Sequence, residues 1–177
     1  MVLSTRRAVL LVALVGVLAL GIMGVLRAVS ASPDNADKHN GSEGRSTLTV
    51  LAKTPEIKVV DLGPQGPSHG DLRAINAPVY NESGKEKVGR LDAFCTVTDP
   101  ADESAEKAHV AECTYTYTLP GGEISVQGVN AYPKLSEPAP RGVDAISGGT
   151  GNYAGVRGER RYETHGTKVI ITFHFIG

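Results

Sequence analysis

From position 46 onward, apolar and polar side chains alternate in one short run after another, and no long stretch keeps helical periodicity. A period of two marks a strand with one face in a core. The runs are Thr47–Ala52, Ile57–Leu62, Leu72–Tyr80, Lys87–Thr98, His109–Leu119, Glu123–Asn130, Val143–Ser147, Val156–Glu163 and Lys168–Ile176. Pro55 separates the first two. Pro78 stands near the end of the third, which predicts a bulge or an irregular stretch there. Ala101–His109 has room for one or two helical turns. Seven to nine antiparallel strands without helices predict a sandwich or a barrel.

Parity assigns the faces, because a slip of one residue turns a whole strand over. Pro120-Gly121-Gly122 reads as a tight hairpin of the primed kind. With Gly121-Gly122 in the loop, Leu119 faces Ile124, Tyr117 faces Val126 and Tyr115 faces Gly128. Pairing Cys95 with Cys113 sets Ala93 opposite Tyr115 and Leu91 opposite Tyr117. These residues share one apolar face. Thr114, Thr116, Thr118, Glu123, Ser125 and Gln127 form the other, toward solvent or a partner subunit. In the last hairpin, joined through His165-Gly166, Tyr162 meets Val169, Arg160 meets Ile171 and Val156 meets Phe175. Arg160 is the one charged residue on that face.

Gly148–Gly158 holds five glycines in eleven residues. The spacing is G-x-G-x-x-x-G, no Lys-Ser/Thr follows, and the flanking stretches alternate instead of forming a helix. That argues against a phosphate cradle. A glycine corner between two strands of a closed sheet fits better.

Arg6 and Arg7 precede Ala8–Leu26, nineteen residues without a charge, and Val29-Ser30-Ala31 follows. This is a secretory signal pattern with a cleavage-like site after Ala31. Left uncleaved, it is a single N-terminal membrane anchor. Residues 1–31 are therefore expected to be an export helix and 32–45, with one apolar side chain, a disordered tether. One domain remains over 46–177, secreted or anchored with the domain outside. Beyond the export segment, 15 Lys and Arg face 19 acids, a net charge near −4. That balance argues against nucleic acid as a partner.

Little in the sequence marks out chemistry. No HExxH or CxxC occurs, the five histidines lack ligand spacing, and no serine sits in a nucleophile elbow. No metal site is expected. A Cys95–Cys113 bridge in an oxidising compartment would close a loop worth about 3 kcal/mol. Two buried thiols, or a free Cys95 in a cavity, are the other readings. Asp144 and Glu159 flank the glycine corner, and Asp71 ends the Gly63–Gly70 loop. A buried acid paired with Arg160 would serve acid–base work or simply an ion pair at a barrel mouth.

Gly70-Asp71-Leu72, Val88-Gly89 with Phe94-Cys95, Gly122-Glu123-Ile124-Ser125-Val126-Gln127-Gly128 and Ala145–Gly158 together resemble the allene oxide cyclase barrel. The last block is also similar to plant dirigent proteins. The resemblance spans about residues 70–177. It implies an eight-stranded antiparallel barrel, often trimeric, whose lumen takes a hydrophobic small molecule without a cofactor and steers how it closes or couples. The cyclase's cavity cysteine corresponds to Cys95. Its cavity asparagine falls at Ala77, with Asn76 adjacent on the other face. Its catalytic glutamate has no counterpart in Ser46–Thr54, and Glu56 comes too late on that strand. The resemblance thus carries over the fold and not the allene oxide reaction.

Three functions follow as expectations. The first is a binding barrel in which Leu91, Ala93, Cys95, Tyr115, Tyr117, Val126, Ile171 and Phe173 line a lumen for an apolar ligand. The second is a cofactor-free isomerase, cyclase or coupling guide using Cys95, Tyr115, Tyr117 and Arg160. The third is a structural cell-surface barrel with a filled lumen. A homodimer or homotrimer suits each, and membrane contact would come only through an uncleaved N-terminal segment.

Overall fold

The alternating runs become strands that pair in sequence order until the sheet closes on itself. The computed structural model describes residues 46–101 and 107–176. The export segment, the tether and most of the helical turn expected within Ala101–His109 lie outside the described residues. The strands are β1 (Ser46–Lys53), β2 (Glu56–Val60), β3 (Leu72–Asn81), β4 (Lys87–Asp99) and β5 (His109–Leu119). They continue as β6 (Gly122–Tyr132), β7 (Arg141–Gly149), β8 (Arg157–His165) and β9 (Lys168–Ile176). The order is β1-β9-β8-β7-β6-β5-β4-β3-β2, all antiparallel, and β1 also pairs with β3. That last pairing closes an eight-stranded barrel, with β2 as an extra strand. The only helical element among the described residues is one 3₁₀ turn, Gly151–Tyr153.

β1 and β2 are two halves of one broken strand. Ala52 pairs with Val79, and Glu56 with Asn76. Between them, Thr54 takes a left-handed φ of 47° before Pro55. Proline has no N–H for a ladder, so the strand bends there. Glu56 opens β2 on the outside, its carboxylate 3.4 Å from Asn76 Nδ2. Both are exposed, whereas Ala77 is buried in the core.

The faces follow the parity reading; two registers do not. Ala93–Tyr115, Leu91–Tyr117 and Cys95–Cys113 pair as expected. In the β5–β6 hairpin, however, Tyr117 pairs with Ile124 and Tyr115 with Val126. The turn is Pro120-Gly121. Proline fixes φ near −65°, which rules out a primed turn, and Gly121 at φ 92° completes the type II pattern. In the β8–β9 hairpin Tyr162 pairs with Ile171 and Arg160 with Phe173. Both hairpins are displaced by two residues. A displacement of two keeps every side chain on its face, so the core is unchanged. The irregularity expected near Pro78 falls between Val79 and Tyr80.

The strand directions give the barrel two ends. The β3–β4, β5–β6 and β7–β8 turns share one. There Asn152 N donates to Gly121 O and Glu123 N to Thr150 Oγ1. A Cβ on Gly151 would run into Gly121 O, so the glycine cluster is a corner where backbone lies on backbone. The other end carries the Thr54-Pro55 bend, the β8–β9 turn and Pro133–Pro140. This last segment lies across the opening as a strap, with Leu135 and Ala139 buried.

Candidate functional site

Walking round the barrel wall from β3, each inward residue is the register partner of the next. Arg73 pairs with Cys95, Cys95 with Cys113, and Cys113 with Gly128. Asp144 lies over Gly128 and pairs with Arg160, which pairs with Phe173. This belt places two arginines, a carboxylate and a disulfide inside the barrel. Gly128 makes room for the carboxylate, since a Cβ there would overlap Asp144. Gly142 does the same for the Tyr162 ring.

Asp144 and Arg160 form a buried ion pair with side chains 0% and 3% exposed. Each needs further partners, because a desolvated charge is tolerated only when hydrogen-bonded all round. Asp144 Oδ1 accepts from Asn130 Nδ2 at 3.0 Å, and Arg160 Nη1 donates to the Tyr117 hydroxyl at 2.7 Å. The guanidinium also lies 3.8 Å over the Tyr115 ring and 4.5 Å over Tyr162. Such stacking suits the flat, weakly hydrated arginine head. Arg160 Nε has no partner among the described residues.

A second chain of hydrogen bonds runs through the phenols. Tyr162 donates to Asn130 Oδ1 at 2.6 Å, and Asn130 Nδ2 donates to Tyr115 at 3.1 Å. Tyr115 and Tyr132 hydroxyls are 3.2 Å apart, and Tyr132 is 3.0 Å from Cys113 Sγ. Cys95 and Cys113 are joined as a disulfide. A bridged sulfur has no proton, so Tyr132 donates to it. Tyr132 then accepts from Tyr115, which accepts from Asn130. Tyr117 receives from Arg160, and its own proton has no acceptor in the network.

Burial pushes the Tyr117 phenol up to about 12, with Arg160 partly offsetting it. Burial raises Tyr132 and Tyr162 as well. For Arg160, burial works against the charge, but Tyr117, Tyr115 and Asp144 outweigh it and hold the group above its ordinary value. At neutral pH the phenols are therefore proton donors and Arg160 a permanent cation.

Arg73 is fully buried and carries a second cation. Its Nε donates to Leu135 O at 2.6 Å and its Nη2 to Glu137 O at 2.8 Å, pinning the strap. The guanidinium lies 3.6 Å over the Tyr132 ring, and Nη1 has no partner among the described residues. Burial lowers its pKa from the usual arginine value, and Tyr132 partly offsets this.

Beneath the strap is a cavity of about 50 Å³. Leu91, Ile75, Val169 and Ile171 form its apolar wall, and Tyr115, Tyr117, Tyr132, Tyr162 and Arg160 its polar one. Pro55, Ile57, Pro138 and Ala139 rim the mouth. Of the residues expected to line a lumen, Leu91, Tyr115, Tyr117 and Ile171 do so, together with Arg160. Cys95, Val126 and Phe173 are buried in the wall without reaching the cavity, and Ala93 packs half-buried beside it. The bridge leaves no free thiol at Cys95, which ends its candidacy as a reactive group. Sequence reasoning offered Asp144, Glu159 and Asp71 as acids to pair with Arg160, and Asp144 is the one that does. It passed over Arg73, Asn130, Tyr132 and Tyr162 as functional residues. The signal was available: each stands at inward parity on its strand, where a polar side chain is out of place.

No family model and no curated protein matches the chain. Solved structures do. A pyocyanin demethylase is 23% identical with a TM-score of 0.58, covering 71% of this chain and 98% of its own. The pterocarpan synthase dirigent protein PsPTS1 is 21% identical with a TM-score of 0.52, covering 76% and 98%. The Diels–Alderase AbmU from Streptomyces koyangensis is 13% identical with a TM-score of 0.53, covering 77% and 71%. At these identities the likeness is one of fold. The chain thus has the barrel fold of these proteins, as expected from the resemblance of its sequence blocks to the allene oxide cyclase barrel and, in Ala145–Gly158, to dirigent proteins.

Proposed function

We propose that this chain is an exported barrel that holds a small hydrophobic molecule in its lumen. Residues 1–31 direct export or anchor the chain, and 32–45 tether the barrel outside the cytoplasm. The cavity beneath the strap carries the reading, because it sets an apolar wall against buried, oriented donors at Tyr117 and Arg160. An apolar body with one polar oxygen suits such a site. The Cys95–Cys113 bridge supports an oxidising compartment. At about 50 Å³ the cavity is far below the roughly 300–1,000 Å³ of drug-sized sites, so a larger ligand needs the strap to lift. Phe94, Val129, Val143 and Ile170, exposed on the outer wall, support assembly into a dimer or trimer.

The Tyr117 proton favours a second reading as a cofactor-free isomerase, cyclase or stereo-guiding protein. A neutral phenol beside a guanidinium can hydrogen-bond a carbonyl as charge develops on it, while the lumen holds a reactive conformer. The pterocarpan synthase and the Diels–Alderase of like fold lend this support.

Native mass spectrometry of the chain recovered from its host tests the first reading and gives the subunit number. A bound apolar metabolite is the expected result; an empty lumen that admits no probe would instead favour a structural barrel. Tyr117→Phe should change ligand selectivity, whereas Thr116→Ala, on the outer face, should not. Equal effects would reject the lumen as the site.

A further inference from the structure

Donors exceed acceptors inside this barrel. Among the described residues, Arg160 Nε and Arg73 Nη1 are buried without partners, and the Tyr117 proton has none. Asn130 already uses both amide protons and its carbonyl oxygen. Both oxygens of Asp144 are engaged. The charges are unbalanced in the same direction. Asp144 answers Arg160, but among the described residues no carboxylate answers Arg73. The other buried carboxylate, Asp71, is turned to the loop before β3, where Leu62 N, Ser68 N and Ser68 Oγ hold it. The hydrogen bonds of Arg73 to the described residues go to the backbone carbonyls of Leu135 and Glu137, and a neutral amide would pin the strap as well without a desolvated cation.

We propose that the lumen binds a small apolar carboxylate, its head against the Tyr117 hydroxyl and Arg160 and its tail running out beneath the strap. A carboxylate accepts without donating, which is what this lumen lacks. The cavity has room for a few water-sized groups, enough for such a head. The rim of Pro55, Ile57, Pro138 and Ala139 is apolar, as a tail requires. Arg73, behind the Tyr132 ring that lines the cavity, supplies the balancing charge. The inference rests on the binding-barrel reading and adds the ligand's charge.

Hexanoate and hexan-1-ol share a chain and differ in the head, so isothermal titration of the full chain with each separates the two ideas. Hexanoate should bind at least about tenfold more tightly, as hydrogen bonds to a charged group imply. Tyr117→Phe should weaken hexanoate about tenfold more than it weakens hexanol and so remove that preference. Arg73→Gln should also shrink it; should that variant not fold, Tyr117→Phe and the wild-type pair decide. Equal binding of both probes overturns the carboxylate and leaves the binding barrel standing. Binding of neither overturns both.

Discussion

At the glycine end of the barrel two turns meet backbone to backbone, while at the other end a strap of eight residues lies over side chains and leaves a cavity. The glycine end carries the densest signal in the sequence and little chemistry. Its glycines permit close approach and left-handed turns, and Tyr153 stacks across it on Phe175. The strap end carries faint signals, single polar residues spaced along separate strands, and gathers nearly all the buried charge. A run of unusual residues reports a demand on the backbone. A site assembled from many strands leaves no local trace beyond one misplaced side chain on each.

The sharpest way to break this contrast is Asp144→Ala. It strands Arg160 in the lumen, and chemical denaturation should show a loss of about 3–5 kcal/mol. A loss near zero would mean water already reaches the pair. Replacing Cys95 and Cys113 together by alanine should lower stability by about 3 kcal/mol, the effect of opening a loop of this length. It should also weaken the phenol network, seen as faster exchange of the amides of β5.

Alkaline titration probes the same end. Tyr117 titrates at about 12 when folded, against 10.0 for an unperturbed phenol. A pKa raised on folding means stability fully present below pH 10 and lost as pH rises toward about 12. Tyrosinate absorbance should therefore appear together with unfolding. Ionisation of Tyr117 near pH 10 in the folded chain, read as tyrosinate absorbance lost in Tyr117→Phe, would show the lumen to be open to solvent. Gly151→Ala, at φ 59° against Gly121, tests the glycine end. It should reduce stability by about 1–3 kcal/mol and leave probe binding in the lumen unchanged. A loss of binding would couple the two ends.

Much of the fold was legible because the alternation is regular and parity tolerates error. All nine strands and both faces were readable, and the two hairpins displaced by two residues still sent Tyr115, Tyr117 and Tyr162 inward. Local pattern could not decide the turns, since Pro120-Gly121 and Gly121-Gly122 differ by a fine competition of backbone angles. Nor could it reveal that Arg73 shares a belt with Arg160. That depends on the registers of β3 through β8 taken together, which no single strand encodes. Arg160 itself was legible as a charge on an apolar face, and its partner Asp144 becomes so once β7 is read by parity between Gly142 and Ile146.

Two sulfur atoms that touch no cavity set the sense of a proton wire. Because the bridge can only receive, Tyr132 points its hydrogen at it, Tyr115 points at Tyr132, and Asn130 at Tyr115. Reduced to thiols, the pair could give as well as take, and the wire would lose its fixed heading. The oxidation state of the surroundings is thereby written into which way the lumen's phenols face.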